Sequence, residues 1–114
     1  MSEQCIFCKI VRKEIPASEV ARSEHAVAFR DLNPQAPTHV LVVPTFHADN
    51  LGDYVAGVPA HDVGELFALA SKIGREQAPG GYRVVVNEGD NGGQTVYHLH
   101  LHVLGGRFMH WPPG

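Results

Sequence analysis

The chain has 114 residues, with nine basic and twelve acidic side chains for a formal charge of -3, a length that sustains one hydrophobic core but not two. It has no lysine or arginine block that could follow a phosphate backbone, which argues against a nucleic-acid partner. The longest apolar run, around VLVVP, falls far short of the roughly 20 residues that cross a bilayer. A small phosphate ester stays open as a ligand, since backbone N–H groups and neutral side chains can hold one without a basic surface.

The opening MSEQ lacks the basic, apolar, small-residue order of a secretory signal. The expectation is a single domain over residues 1–114 in the cytoplasm, with no membrane partner. Cys5 and Cys8, the only cysteines, enclose too short a loop for a useful disulfide. The C-x2-C spacing suggests half a zinc site or a redox pair.

From Cys5 to Glu14, Phe7, Ile10 and Val11 recur at helical spacing until Pro16, which predicts a short helix. EVARSE and AVAFRD follow as two strands, with Ser23, Glu24 and His25 at the turn; His25 and His61 are expected to face solvent. Asp31, just before Leu32, Asn33 and Pro34, is where a turn aspartate belongs. THVLVVP is apolar on both alternating faces, as in a central strand. Val63, Leu66, Phe67, Ala70 and Ile73 form one stripe of a main helix between Pro59 and about Gln77, stopped by APGG. YRVVVN reads as a strand, EGDNGGQT as a glycine-rich loop, and YHLHLHVLGG as the last strand. Five strands with one long and one short helix make an α+β domain with a mostly antiparallel sheet. The tail, RFMHWPPG, ends in an extended Pro-Pro segment.

Alternation in HLHLH sets His98, His100 and His102 on one face of a strand and Leu99 and Leu101 on the other. The leucines pack in the core, but three imidazoles seldom bury together without partners or a ligand. On a straight strand the first and third lie roughly 13 to 14 Å apart, too far to close on one metal. A nucleophilic array fits better. One ring nitrogen attacks when the other is held by a carbonyl or carboxylate. His100 is then the nucleophile, His102 protonates or orients the leaving group, and His98 positions its neighbour. Gly89, Gly92 and Gly93 permit a tight loop with N–H groups facing an anion, or merely a turn; Asn87 and Thr95 add neutral donors. No GK[ST] follows, so the loop is not the ATP-binding P-loop.

HLHLHV at 98 to 103 resembles the histidine-triad motif. Together with HVLVVP at 39 to 44, VVNEG at 85 to 89, GGQTVYHLHLHVLGG at 92 to 106 and the terminal WPPG, it resembles the histidine-triad nucleotide-binding proteins, the Hint branch, over essentially the whole chain. The resemblance implies a five-stranded antiparallel sheet with two helices, pairing into a homodimer with a continuous ten-stranded sheet. It implies hydrolysis of the P–N bond in adenosine or guanosine 5'-monophosphate derivatives, His100 forming a nucleotidyl intermediate that water resolves. His102 then contacts phosphate or leaving group, and His39 belongs to the cluster behind the triad. Asp31 matches the ribose-binding carboxylate, and Asn87 and Thr95 match residues beside the phosphate. Thr95 departs from the serine usual in the family. Ile6, Phe7, Ile10, Phe29 and Leu32 match apolar walls for the purine, with Gly93 and Val96 in the same site.

By the same resemblance, Cys5, Cys8, His47 and His98 hold a structural zinc, with no organic cofactor, and the tail with His110 and Trp111 lies against the neighbouring subunit near its active site. Two competing expectations remain. One is hydrolysis of dinucleoside polyphosphates or adenylyl sulfate by the same histidine. The other is a zinc-stabilised nucleotide-binding regulatory protein with little catalysis of its own.

Overall fold

The structure, a computed structural model, describes residues 4–114. Five strands form, β1 (Glu19–Arg22), β2 (Ala26–Arg30), β3 (Thr38–Pro44), β4 (Tyr82–Val86) and β5 (Leu101–Gly105), with three helices, α1 (Ile6–Val11), α2 (Leu51–Gly57) and α3 (Ala60–Gln77). The strands make one antiparallel sheet in the order β1-β2-β3-β5-β4. β3 is buried at all seven positions, as its two apolar faces require.

Each face of that sheet has its own cover. Ala26, Ala28, Val40, Val42, Leu101 and Val103 pack against Leu66, Leu69, Ala70 and Ile73 of α3. Val27, Phe29, Leu41 and Val43, one residue out of phase, pack against Phe7, with Ile10, Val11 and Val96 beside them. His39 and His102 share this second face by strand alternation. The site therefore grows from the α1 side, while α3 supplies the larger core.

α3 starts and ends where the stripe predicts, with one change: Leu69 is buried and Phe67 is 38% exposed. Gly74 of α3 lies against β4, where an added Cβ would stand 2.5 Å from the Tyr82 ring. α1 stops at Val11, short of the expected Glu14. Its end is a Schellman closure, in which Glu14 N–H donates to Lys9 O at 2.8 Å and Lys13 N–H to Ile10 O at 3.0 Å. Lys13 takes the left-handed conformation there, with φ 62°, a place glycine usually fills.

α2 was not expected, because LGDYVAG has two glycines and no helical stripe. Its support is partly local, from the N-cap Asn50, and partly distant. Asn50 accepts from Asp53 N–H at 2.9 Å, and Glu88, 36 residues away, accepts from Gly52 N–H at 3.0 Å. His25 also departs from expectation, since it is held against α3 rather than left to solvent. Glu65 accepts from Ser23 Oγ–H, from His25 N–H and from His25 Nδ1, the last at 2.9 Å. These bonds, with Ser23's the largest influence, hold the Glu65 carboxyl down at about 2. His61 is exposed, as expected.

β5 begins at Leu101, so His98 and His100 lie ahead of the ladder and only His102 is on the strand. Freed from the pleat, the three rings need not stand in a row.

Candidate active site and metal centre

Residues 98–102 carry their histidines into different surroundings, and the hydrogen bonds fix which nitrogen of each ring bears the proton. His98 is fully buried, and its Nε2–H can donate only to Pro44 O, at 3.0 Å. Its Nδ1 is therefore a bare lone pair. Burial pushes this ring's pKa down to about 4, so the ring is neutral. His47 has the same arrangement, with Nε2–H donating to Asp49 Oδ1 at 3.0 Å and Nδ1 left bare.

These two bare nitrogens face each other at 3.1 Å. Cys8 Sγ lies 3.2 Å from His47 Nδ1 and 3.5 Å from His98 Nδ1, and Cys5 Sγ lies 3.3 Å from His98 Nδ1. All four atoms fall within 4.8 Å of one another. A tetrahedral zinc bound by two nitrogens and two sulfurs has ligand edges of about 3.3 to 3.8 Å, so the set fits such an ion with little adjustment. Burial, reinforced by Cys5, pushes the Cys8 thiol up to about 11. A cation reverses that preference and takes the thiolate. The Asp49 carboxylate behind His47 is the usual outer partner of a metal-bound histidine.

The second cluster looks similar in composition but has different chemistry. Asp31, His39 and His102 also bring ligand-type atoms within 4.8 Å. Gln35 N–H, however, donates to His39 Nδ1 at 3.0 Å, which leaves the His39 proton on Nε2. That proton points to His102 Nδ1, 2.9 Å away, with Asp31 Oδ2 at 3.4 Å. A nitrogen already donating a proton has no lone pair for a metal. This cluster is a hydrogen-bond relay, and it leaves His102 with its proton on Nε2. Burial, then the neighbouring His100 and His39, push His102 down to about 4; burial also lowers His39.

His100 sits between the two. Its Nδ1–H can donate only to the carbonyl of His98, at 2.8 Å, so its Nε2 carries the free lone pair. The ring stands edge to face with Phe7 at 5.2 Å and with His102 at 5.0 Å between centroids. His100 and His102 together form part of the wall of an open cleft of about 290 Å³. A nucleophilic nitrogen and an N–H donor thus share one cavity.

The cleft gathers Asp31, Thr95, Ile6, Phe7, Ile10, Phe29, Leu32 and Val96 of the predicted set. Asp31 takes the expected turn, with Oδ1 accepting from Asn33 N–H at 2.8 Å as in an Asx turn, and the residue also lines the cleft. Leu32 is 97% exposed on its rim. Asn87, Gly93 and Trp111 are not in the wall, and Trp111 is 81% exposed. Gly93 serves the turn, with φ +86° and its N–H on Asp90 O. Sequence reasoning missed Pro16, Ala17, Ser18, Arg30 and Leu41. Only the two-sided apolar pattern of β3 pointed toward Leu41, and it could not say which face would be open.

The family model described as the HIT domain matches residues 12–109, and the chain belongs to that family. A purine nucleoside phosphoramidase of Escherichia coli is 42% identical over 109 residues, 94% of this chain and 91% of that one. A 14 kDa zinc-binding protein of Zea mays is 46% identical over 112 residues, 96% of this chain and 87% of that one. Among solved structures, a HIT family hydrolase from Legionella pneumophila matches with a TM-score of 0.88 at 44% identity, over 97% of this chain and 100% of that one. A zinc-bound histidine triad family protein from Mycobacterium smegmatis matches with a TM-score of 0.79 at 32% identity, over 94% and 78%. No helix among the described residues is long and apolar enough to cross a membrane.

Proposed function

We propose that the protein is a purine nucleoside phosphoramidase, hydrolysing the P–N bond of adenosine or guanosine 5'-monophosphoramidates through a nucleotidyl-His100 intermediate. The observation that carries this reading is the His100 Nδ1–H bond to the His98 carbonyl at 2.8 Å, which leaves Nε2 as a nucleophile in a cleft shared with His102 and Thr95. Nε2 bonds to the α-phosphorus as the P–N bond breaks, and the amine leaves with a proton drawn from solvent at the open cleft. Water then attacks the phosphorus, the P–Nε2 bond breaks, and the nucleoside monophosphate departs with His100 restored.

His102, kept neutral, acts by donating Nε2–H to a phosphate oxygen or to the departing nitrogen. Asp31 Oδ2 accepts from a ribose hydroxyl, and Ile6, Phe7, Ile10, Phe29, Leu32 and Val96 enclose the purine. Thr95 in the cleft wall belongs to the phosphate side, and Asn87 and Gly93, outside that wall, are assigned to the same side by the family pattern. Cys5, Cys8, His47 and His98 hold zinc, which fixes the corner beside the triad and activates no water. The protein works in the cytoplasm, where the two thiols stay reduced. β4, whose outer edge has no strand beside it among the described residues and whose Val84 is exposed, pairs with a second copy, and Trp111 reaches toward that copy's cleft.

A release assay comparing an adenosine 5'-phosphoramidate, diadenosine polyphosphates and adenylyl sulfate tests the reading. The phosphoramidate is expected to turn over fastest, and His100→Ala to lose at least about 10³-fold in kcat while still binding nucleotide. Parental turnover in His100→Ala would refute the nucleophile. A polyphosphate or the sulfate turning over faster would move the substrate to that class, and failure of all three would favour a binding protein.

A further inference from the structure

Gln94 is the one buried residue between positions 88 and 97, only 5% exposed in a loop whose other residues are exposed or half-buried. Its carboxamide bonds in three directions. Oε1 accepts from Gly89 N–H at 3.0 Å, while Nε2 donates to Asp49 O at 2.6 Å and to Val96 O at 3.0 Å. Its own N–H donates to Gly89 O at 3.0 Å. Only one orientation of the amide serves all three partners, because the flipped group would set donor against donor and oxygen against two carbonyls.

Those partners belong to different parts of the site. Asp49 is the residue whose carboxylate takes the His47 Nε2–H, and the neighbouring Ala48 O accepts from Leu99 N–H in the triad segment at 2.9 Å. Val96, with Thr95 before it, lines the cleft. Gly89 opens the glycine-rich loop in the left-handed conformation, with φ +78°. We infer that Gln94 is a positioning residue, a brace that locks the Thr95–Val96 wall of the cleft to the loop carrying His47 and Asp49, so that nucleotide meets a wall already ordered. The inference deepens the proposed function and rests on its placing of nucleotide in this cleft.

Ordering the wall in advance removes an entropic cost from binding, so the brace has a readout that mere stability lacks. Gln94→Met fills similar volume but leaves Gly89 N–H, Asp49 O and Val96 O without their partner. AMP affinity, measured calorimetrically on the zinc-loaded protein, is expected to fall about 10-fold. Amide hydrogen exchange should accelerate over residues 89–97 while β3 and α3 exchange as in the parent. Leu69→Ala, in the α3 core, is the control: its unfolding midpoint falls while AMP affinity stays parental. Gln94→Asn, with the amide on a stem too short for all three partners, gives a milder variant with the same readouts. Parental AMP affinity and parental exchange at 89–97 in Gln94→Met would overturn the brace. So would an equal loss of affinity in Leu69→Ala at matched loss of midpoint. Failure of the parent itself to bind AMP would refute the nucleotide reading instead, and the exchange comparison would still decide the brace.

Discussion

The two clusters flanking His100 each pair two histidines with other ligand-type side chains, and their chemistry is opposite. In the corner formed by Cys5, Cys8, His47 and His98, both rings give their protons outward, to Pro44 O and to Asp49, so that bare nitrogens face inward at 3.1 Å. In the group of Asp31, His39 and His102, the amide of Gln35 occupies the outer nitrogen and turns the proton inward. Side-chain identity and spacing alone would qualify both as metal sites. What separates them is the partner of the outward nitrogens, acceptors (Pro44 O and the Asp49 carboxylate) in the first case and a donor (Gln35 N–H) in the second.

The largest expected effect comes from removing a ligand on the metal side. Cys8→Ser should take bound zinc from about one ion per chain to nearly none, and the unfolding midpoint should fall by about 10 °C, as read by metal analysis and calorimetry. The relay should survive, with AMP affinity within a few-fold of parental. Parent protein purified without added zinc that carries no metal, and whose midpoint is unmoved by a strong chelator, would erase the contrast.

On the relay side, His39→Ala removes the proton that fixes His102. It should lower kcat about 10²-fold at unchanged zinc content, and His39→Gln, which can again offer N–H to His102 Nδ1, should recover part of the loss. Parental kcat in His39→Ala would mean that the relay does not organise His102, and loss of zinc would mean that the two clusters are not separate.

The smallest effect concerns pH. His102 sits at about 4 when folded and near its ordinary 6.5 when unfolded, so between those values the unfolded chain binds more protons and stability rises with pH. The contribution is fully present above about 6.5 and is lost as pH falls toward about 4. His102→Asn cannot titrate, so the difference in urea midpoint between it and the parent should narrow across that window. A constant difference would show that His102 is not held neutral by its surroundings.

Much of this was legible beforehand because it is local. THVLVVP declares a two-sided strand, and β3 follows it residue for residue. C-x2-C with a histidine-rich segment announces ligands, and the apolar wall residues around Asp31 do meet in one cleft. The illegible parts depend on partners distant in sequence. α2 needs Glu88 to cap Gly52, and nothing within LGDYVAG says so. Alternation in HLHLH imitates a pleat beyond the start of β5 at Leu101, whereas His98 turns to the cysteine-histidine corner and His100 to a carbonyl rather than to a ladder. Gln94 gave no signal, since a glutamine in a polar loop looks like loop until Asp49 is seen beside it. The Gln35 amide that decides the relay is invisible in principle, because every residue except proline has one.

The same generality applies to His98. Its imidazole turns toward the cysteines, but the group that aims His100 is its main-chain carbonyl, and any amino acid at position 98 would offer that oxygen. His100 Nε2 therefore takes its orientation from a group that mutation cannot delete. Losing the two cysteines and the His98 ring together would still leave that carbonyl in place, so the four-residue corner and the orientation of His100 are separable although they meet at one residue.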